Sequence, residues 1–326
     1  MSRLVHAGSA VVDYVYRIDA LPEPGAEKIA ASYDRVAGGG FNMMVAASRT
    51  GMGVVFAGQL GTGPSGDFLR AAFAAEQIEP LAPPSLSMDT GNCVVMVSAD
   101  AERTFVSWPG AEGRLSASDL SPVSFMSDDW VFTSGYTLSY PGSRDALAGW
   151  IEALPPEIPF VFDPTPVVSE IPEEILARVL SRTSWLSCNS AEAVVIAGTT
   201  DVATNADMLM SLHCPHAVGL VVRSGEAGAY VVLRDGRSQT IPGFKVAAVD
   251  TNGAGDTHIG AFVSALARGA AAFDAARYAN AAAAISVTRH GGSSAPTDIE
   301  IQTFLNHDAD RVHDRNQKTQ SNRLNG

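Results

Sequence analysis

Gly253, Ala254 and Gly255 form a run of residues that carry almost no side chain, and Asp256 follows them directly. An Ala-rich helical pattern begins at about Gly255, so the N–H groups of the run lie at the positive end of a helix dipole and can hold a phosphate group. The Asp256 carboxylate could accept a proton from a hydroxyl group that attacks phosphorus. The same pattern also occurs in plain strand-to-helix connections with an Asp cap, so the rest of the chain must decide.

The composition is that of a globular protein. Of the 326 residues, 46% are hydrophobic and 17% are charged, which fits one large domain or two smaller ones. The formal net charge of −13 disfavours nucleic acid as a partner, because an acidic protein gains nothing from displacing the counterions of phosphates.

Cysteine usage and hydropathy favour a cytoplasmic protein. Cys93, Cys188 and Cys214 are too few and too scattered for a disulfide framework, and no pair has the spacing of metal ligands. The first residues do not resemble a signal peptide, and no apolar run approaches the roughly 20 residues that cross a bilayer. We therefore expect no membrane partner.

The turn must be positioned by the strands and helices around it. Strands that alternate apolar and polar residues are predicted before Leu115, and their exposed pattern indicates a small antiparallel sheet that projects from the main domain as a lid. These predicted lid strands lie within residues of about 11–36 and 92–107: Val11–Ile18, Glu27–Val36, Asn92–Ser98 and Arg103–Ser107.

After Leu115, apolar strands alternate with helices, which predicts a mostly parallel sheet covered by helices on both faces, a three-layer αβα sandwich. A predicted strand from Phe244 to Val249 leads into the glycine-rich turn. Ligands of such sheets bind beyond the carboxyl ends of the strands. Several polar residues fall at or just after predicted strand ends and can therefore converge: Asp13, Asn189, Arg223 and Asp256.

The end of the chain differs from the rest. From about His307 to Gly326 the sequence is polar and lacks periodicity, so we expect residues 307–326 to form a poorly ordered tail. Residues 1–306 are then expected to form a single catalytic domain.

Two motifs far apart in the chain carry a family resemblance. The first is Ala37-Gly38-Gly39-Gly40-Phe41-Asn42, followed by Gly51 and Gly61; the second is Asp250-Thr251-Asn252-Gly253-Ala254-Gly255-Asp256, closed by Gly260-Ala261-Phe262. Together, from Leu4 to about Pro296, they resemble the ribokinase-like, or PfkB, family of carbohydrate kinases. The resemblance implies a ribokinase-like αβα fold with a small antiparallel β lid, and ATP-dependent phosphorylation of a small sugar.

The resemblance also implies roles for individual residues. Asp256 corresponds to the catalytic base of the family, and the amides of Gly253, Ala254 and Gly255 correspond to its anion hole. The sugar-binding positions correspond to Asp13, Gly38, Gly39 and Asn42. A carboxylate and an amide suit this task, because sugar hydroxyl groups both donate and accept hydrogen bonds.

The nucleotide positions of the family correspond to Asn189, Glu192, Arg223, Gly225 and Asn280. In the family, Asn189 and Glu192 act on the magnesium-bound phosphates, Glu192 through water. From their spacing alone, Asn189 and Glu192 also fit a helix capping box. Arg223 also fits a surface salt bridge.

Two further expectations follow from the resemblance. Asp250 and the Asn252 carbonyl match a potassium site of many relatives, and dimerisation through the lid is common among them. We therefore expect ATP and Mg²⁺ as cofactors, K⁺ as an additional candidate, and a homodimer.

The acceptor is left open by the sequence. Gly39 stands where ribose-specific relatives often have Lys, and Ser134-Gly135-Tyr136 stands where they place a substrate-contacting Glu. A ketohexose, a modified sugar or a nucleoside of the adenosine or pseudouridine type therefore remains open beside ribose. A non-catalytic sugar sensor on the same fold is the alternative outside enzymes.

Overall fold

The computed structural model describes residues 2–100, 102–291 and 293–309. The strands are β1 (Arg3–His6), β2 (Ala10–Arg17), β3 (Ser32–Gly39), β4 (Gly53–Phe56), β5 (Ile78–Pro80), β6 (Asn92–Val97), β7 (Arg103–Trp108), β8 (Asp129–Ser134), β9 (Phe160–Asp163), β10 (Trp185–Asn189), β11 (Gly219–Arg223), β12 (Gly228–Leu233) and β13 (Ser238–Pro242). The helices are α1 (Phe41–Arg49), α2 (Pro64–Ala75), α3 (Ala117–Leu120), α4 (Gly135–Ser139), α5 (Arg144–Glu152), α6 (Glu173–Arg182), α7 (Ser190–Ala197), α8 (Val202–Met208), α9 (Ala254–Ala267), α10 (Ala272–Ser286) and α11 (298–309).

The central sheet has nine strands in the order β13-β12-β11-β10-β9-β8-β1-β4-β5. The pairs from β11 to β5 are parallel, while β12 and β13 are antiparallel additions at one edge. Adjacent residues of β1 face opposite sides, so that Leu4 packs in the core with α1, α9 and α10, and Val5 packs in the core with α5 and α6. The predicted three-layer fold is confirmed.

The smaller sheet has the order β3-β2-β6-β7 and forms the lid. Its outer pairs, β2–β3 and β6–β7, are antiparallel, and the two pairs meet through a parallel pairing of β2 with β6. Its own core is small and consists of Cys93, Val95 and Val97 packed with Val15. Among the residues that the structure describes, no second sheet packs on the far face of the lid, so the lid is a thin layer.

The prediction of a strand from Phe244 to Val249 is wrong. β13 ends at Pro242, and residues 243–249 have no regular secondary structure. The amides of Val249 and Asp250 instead donate to the carbonyl of Val287, at 2.7 and 3.1 Å, just after α10. These hydrogen bonds tie the approach to the glycine-rich turn to the end of a helix instead of a neighbouring strand.

The predicted start of the tail, at about His307, is too early by a few residues. Residues 307–309 continue α11, so the polar stretch does not start at the end of the fold. The remainder of the expected tail, residues 310–326, lies outside the described residues. Within the residues that the structure describes, no helix is both long and apolar enough to cross a lipid bilayer.

α1 and α9, which begin in the two sequence motifs, pack closely against each other at Gly260. A Cβ atom at Gly260 would lie 2.6 Å from the carbonyl oxygen of Met43 and 2.6 Å from the Cβ of Ala46, so only glycine fits. The contact brings the start of α1, with Asn42, beside the start of α9, with Asp256.

We predict that Gly260→Val lowers the free energy of unfolding by about 1–3 kcal/mol, because the added atoms force the two helices apart. The matched control is Gly149→Ala in α5, where a Cβ would meet only Arg178 Nη2 at 3.9 Å. That control should be neutral or stabilising by up to about 1 kcal/mol through helix propensity. Urea unfolding measures both, and equal effects of the two substitutions would contradict the close packing at Gly260.

Candidate active site

The candidate site lies at the carboxyl-end edge of the central sheet. Asn189 at the end of β10 pairs in register with Arg223 at the end of β11, and β9 ends beside them at Asp163. Asp163 is not among the site residues predicted from the sequence, although it ends the apolar strand Phe160–Asp163. The available signal was a carboxylate directly after a buried apolar strand, at the edge where ligands of such sheets bind.

The glycine-rich turn begins α9 and faces Arg223. Gly253 has the left-handed backbone that favours glycine, with φ of 70°. The Ala254 amide closes the turn on the Thr251 carbonyl at 3.3 Å. A Cβ atom at Gly255 would lie 3.8 Å from two nitrogens of the Arg223 guanidinium, so the turn and this cation border the same space. Helix N–H groups and a guanidinium together suit a phosphate.

Arg223 is shared among several carboxylates. Its Nη2 lies 3.3 Å from Asp163 Oδ2 and 3.5 Å from Glu192 Oε2, while Nη1 donates to Ser187 Oγ at 2.7 Å. Burial raises the pKa of Asp163 above its ordinary value, and the charge of Arg223 opposes that shift. Burial and the charge of Asp163 raise the pKa of Glu192 to about 7.

Asp256 lies in the first turn of α9 within this group of charges. Burial and, next, the charge of Asp163 raise the pKa of Asp256 to about 6, while Arg223 and the Asn42 amide oppose the shift. A carboxylate with such a pKa is ionised at neutral pH and still binds a proton readily. This is the property that a general base requires.

Asp13 reaches the same space from the lid. It lies on β2, and a Cβ atom at Gly38 would be only 2.0 Å from Asp13 Oδ2, so a side chain at Gly38 would displace the carboxylate from this position. Burial and the charge of Asp256 raise the pKa of Asp13 to about 7, so the two carboxylates lie within electrostatic reach of each other. Gly39, with φ of 60°, and Asn42, which accepts a hydrogen bond from Ser293 at 3.1 Å, lie at the same end.

Tyr136 is a further residue of the cleft. It lies on the short helix α4, after β8, and its side chain is 37% exposed. Burial raises the pKa of its hydroxyl group, and the charges of Asp256 and Asp163 raise it further. The hydroxyl group of Tyr136 therefore lies within electrostatic reach of Asp256 and Asp163.

Asn189 and Glu192 form the capping box that their spacing allowed. The Glu192 amide donates to Asn189 Oδ1 at 2.8 Å, and the Asn189 amide donates to Glu192 Oε2 at 2.7 Å. Because Glu192 also lies next to Arg223, the structural role does not remove it from the cluster. Both interpretations of the pair therefore remain compatible.

Asn280 is buried, and its side chain is hydrogen-bonded to the end of β13. Its amide nitrogen donates to the carbonyls of Ile241 and Pro242 at 3.1 and 3.2 Å, and its Oδ1 lies 3.1 Å from His258 Nε2. Gly225 lies apart from it, in a turn after β11 with φ of 56°, where a Cβ atom would meet open space. The structure therefore does not bring these two nucleotide candidates into contact.

The expected potassium site is not supported. Asp250 Oδ1 accepts from the Asn252 amide at 2.9 Å and from Arg103, and Oδ2 accepts from the Gly291 amide at 3.2 Å. Arg17 lies 3.8 Å from Oδ2. These donors and positive charges already surround the carboxylate that would hold a monovalent cation.

A preformed protein cage for a metal is also missing from the part of the chain that the structure describes, where no group of three or more His, Cys, Asp and Glu side chains could hold an ion. Magnesium commonly binds with only one or two carboxylates together with substrate phosphates and water. Glu192, beside the phosphate-facing turn, fits that kind of site.

The model of the pfkB family of carbohydrate kinases matches residues 1–299 of the chain. The chain belongs to the PfkB family of carbohydrate kinases. This kinase is 32% identical over 296 residues to an uncharacterized sugar kinase of Escherichia coli (strain K12), with 90% of this chain and 91% of the relative covered. It is also 32% identical over 309 residues to the ribokinase of Haemophilus influenzae, with 92% and 97% covered.

A solved structure adds a similarity in three dimensions. The aminoimidazole riboside kinase from Salmonella enterica, complexed with aminoimidazole riboside and an ATP analog, matches this kinase with a TM-score of 0.76 and 25% sequence identity. The match covers 93% of this chain and 99% of that one. The kinase therefore shares the fold of that enzyme over most of its length.

We predict that Asp256→Asn makes the ligand-free kinase more heat-stable at neutral pH. The pKa of Asp256 is raised to about 6 in the folded state, so its ionisation costs stability as the pH rises toward that value. The gain should be largest above about pH 6.5 and should fade below about pH 4, because the carboxyl group then becomes protonated in the unfolded state as well as in the folded state. Thermal unfolding across pH measures it, with Asp207→Asn on exposed α8 as the control. A gain that is independent of pH would contradict the assignment.

Proposed function

We propose that this kinase transfers the γ-phosphoryl group of ATP to a hydroxyl group of a sugar or sugar derivative bound between the lid and the central sheet. The observation that carries the proposal is the position of Asp256, a carboxylate with a pKa of about 6 in the first turn of a helix whose glycine-rich start faces Arg223. A proton acceptor and an anion site then act on the same phosphoryl group.

In the proposed reaction, Asp256 takes the proton of the acceptor hydroxyl as its oxygen attacks the γ-phosphorus. The bond between that phosphorus and the oxygen bridging to the β-phosphate breaks, and ADP leaves with the bond electrons. The amides of Gly253 and Gly255 and the Arg223 guanidinium stabilise the charge on the phosphoryl oxygens, whereas the Ala254 amide already donates to the Thr251 carbonyl. Magnesium supplies further positive charge to the phosphates, and Glu192 would hold it through water.

Asp13, Asn42 and the backbone of Gly38 and Gly39 are proposed to hold the acceptor. The carboxylate and the amide can each bind neighbouring hydroxyl groups, and the lid that carries Asp13 covers the acceptor and excludes water. For the nucleotide, we propose that the base lies between Gly225 and the end of β13, to which Asn280 is hydrogen-bonded. Asn189 would then lie beside the phosphates.

For the acceptor we favour a sugar larger or differently decorated than ribose. Gly39 provides no side chain at its position, and Tyr136 presents a ring to the cleft. The same ring makes a nucleoside the second candidate, because an aromatic side chain can stack on a base. A sugar sensor is disfavoured, since binding alone does not require a proton acceptor at Asp256.

We also propose a homodimer that forms through the lid. β7 is an edge strand of the smaller sheet, and Phe105, Val106 and Trp108 on it are 56%, 59% and 52% exposed. Unpaired strand edges with apolar side chains are surfaces on which sheets associate. A second copy of the lid would cover them.

The phosphotransfer proposal predicts ATP- and Mg²⁺-dependent turnover with one member of a panel of pentoses, ketohexoses, sugar acids and nucleosides. Asp256→Asn should lower kcat by about 10²–10⁴-fold, because general-base catalysis is lost, while ATP binding persists. In the wild type, kcat/KM should rise with pH to a plateau above about pH 6–7, since the ionised base is the active form. Full turnover by Asp256→Asn would refute this role.

The dimer proposal predicts that Phe105→Lys shifts the protein toward the monomer, because a charge would have to be buried against the partner. Leu212→Lys is the matched control, since Leu212 is 67% exposed and lies outside the lid. Sedimentation velocity distinguishes the species. A monomeric wild type, or equal dissociation by both substitutions, would count against the lid interface.

A further inference from the structure

An ion pair joins the lid to the loop that precedes the glycine-rich turn. Arg103, at the start of β7, donates from Nη2 to Asp250 Oδ1 and from Nη1 to Thr251 Oγ1 at 3.2 Å. The side chains of Arg103 and Asp250 are 21% and 9% exposed, so the contact is largely shielded from water. A single guanidinium of the lid thus makes hydrogen bonds to two consecutive residues of this loop.

Asp250 and Thr251, the two residues that Arg103 contacts, lead directly into the proposed anion hole. Asp250 also accepts from the amides of Asn252 and Gly291, and only Asn252 separates Thr251 from Gly253. A shift of Asp250 would therefore change the path of the chain just before the phosphate-facing amides. A planar guanidinium fork that makes two hydrogen bonds fixes its partner more firmly than a single contact.

The charges around Asp250 leave little reason for a metal cation to bind there. A carboxylate offers about four acceptor positions, and two amides and Arg103 occupy three of them. The Arg17 guanidinium, 3.8 Å from Oδ2, adds a second positive charge next to the single negative one. A monovalent cation would have to displace a guanidinium and would be repelled by the other.

We propose that Arg103 is a positioning residue that couples closure of the lid to the shape of the anion hole, and that its guanidinium replaces a monovalent cation at Asp250. This inference rests on the proposed phosphotransfer. When the lid lies over the acceptor, Arg103 holds the loop in place for phosphoryl transfer. The kinase then needs no potassium, since the positive charge comes from its own lid.

The experiment compares the wild type with Arg103→Met and Arg103→Lys, each in potassium chloride and in tetramethylammonium chloride at about 0.2 M, so that ionic strength is constant. The methyl groups of tetramethylammonium keep carboxylate oxygens away from its charge, so this cation does not replace K⁺ as a partner that oxygen atoms coordinate. Arg35→Met is the matched control, because Arg35 is another lid arginine but packs over the ring of Phe68, away from Asp250.

For the wild type we expect equal kcat in the two salts, within about twofold. Arg103→Met should lose about 10-fold or more in kcat in tetramethylammonium, as is typical when a residue that orients a site is removed. Potassium should restore part of that loss by binding at the vacated Asp250, and Arg103→Lys should keep more kcat than Arg103→Met. KM for the acceptor should change less than kcat in each variant, and Arg35→Met should match the wild type.

Thermal unfolding provides a readout that does not need turnover. Potassium should raise the Tm of Arg103→Met by about 2 °C over tetramethylammonium, because a ligand that binds only the folded state stabilises it. The wild type should show the same Tm in both salts. A wild type without turnover on any acceptor would defeat the proposed function, while the Tm comparison would still decide this inference.

Either of two results would overturn the inference. One is strong activation or stabilisation of the wild type by potassium, which would mean that a cation site exists beside Arg103. The other is an Arg103→Met variant with wild-type kcat and no response to potassium, which would mean that the ion pair does not position the anion hole.

Discussion

The gathering of carboxylates around Arg223 is the constraint on which the rest of the site depends. Asp163 and Glu192 contact this guanidinium, and Asp256 lies within the influence of the same charges. Buried carboxylates repel one another and resist ionisation unless a cation and hydrogen-bond donors accompany them. Arg223 is therefore partly neutralised by the protein itself, and the amides at the start of α9 must supply much of the attraction for phosphate.

The central sheet and the lid differ in how firmly the surrounding structure holds them. The central sheet is buried on both faces by helices, which fixes the strand ends that carry Asp163, Asn189 and Arg223. The lid has a small core of its own in β6, while Val12 of β2 and Ala37 of β3 belong to the main core. On the β7 side, the lid is joined to the central domain by the polar pair of Arg103 with Asp250. The β6–β7 half of the lid therefore has less apolar contact with the rest of the fold than the β2–β3 half, and local opening should begin there.

Local patterns predicted the fold and the strand-end residues, but not the contacts that join distant segments. The apolar runs correctly placed Asn189 and Arg223 at neighbouring strand ends, because the carboxyl ends of parallel strands meet at one edge. The run from Phe244 to Val249 had the pattern of a strand, yet its end bonds to Val287, a partner far along the chain. The pairing of Arg103 with Asp250 spans 147 positions and leaves no periodic signal in either segment.

The motif glycines explain why the family is readable from the sequence while the acceptor is not. Gly260 exists because two helices touch there, and Gly38 exists because Asp13 fills the space beside it. A side chain at Gly260 would force the two helices apart, and one at Gly38 would displace the Asp13 carboxylate, so both positions favour glycine. The choice of acceptor, in contrast, would depend on side chains such as Tyr136, whose identity the backbone geometry does not dictate. A constraint of backbone geometry therefore identifies the kind of chemistry, and only the side chains around the cleft select the molecule that receives the phosphoryl group.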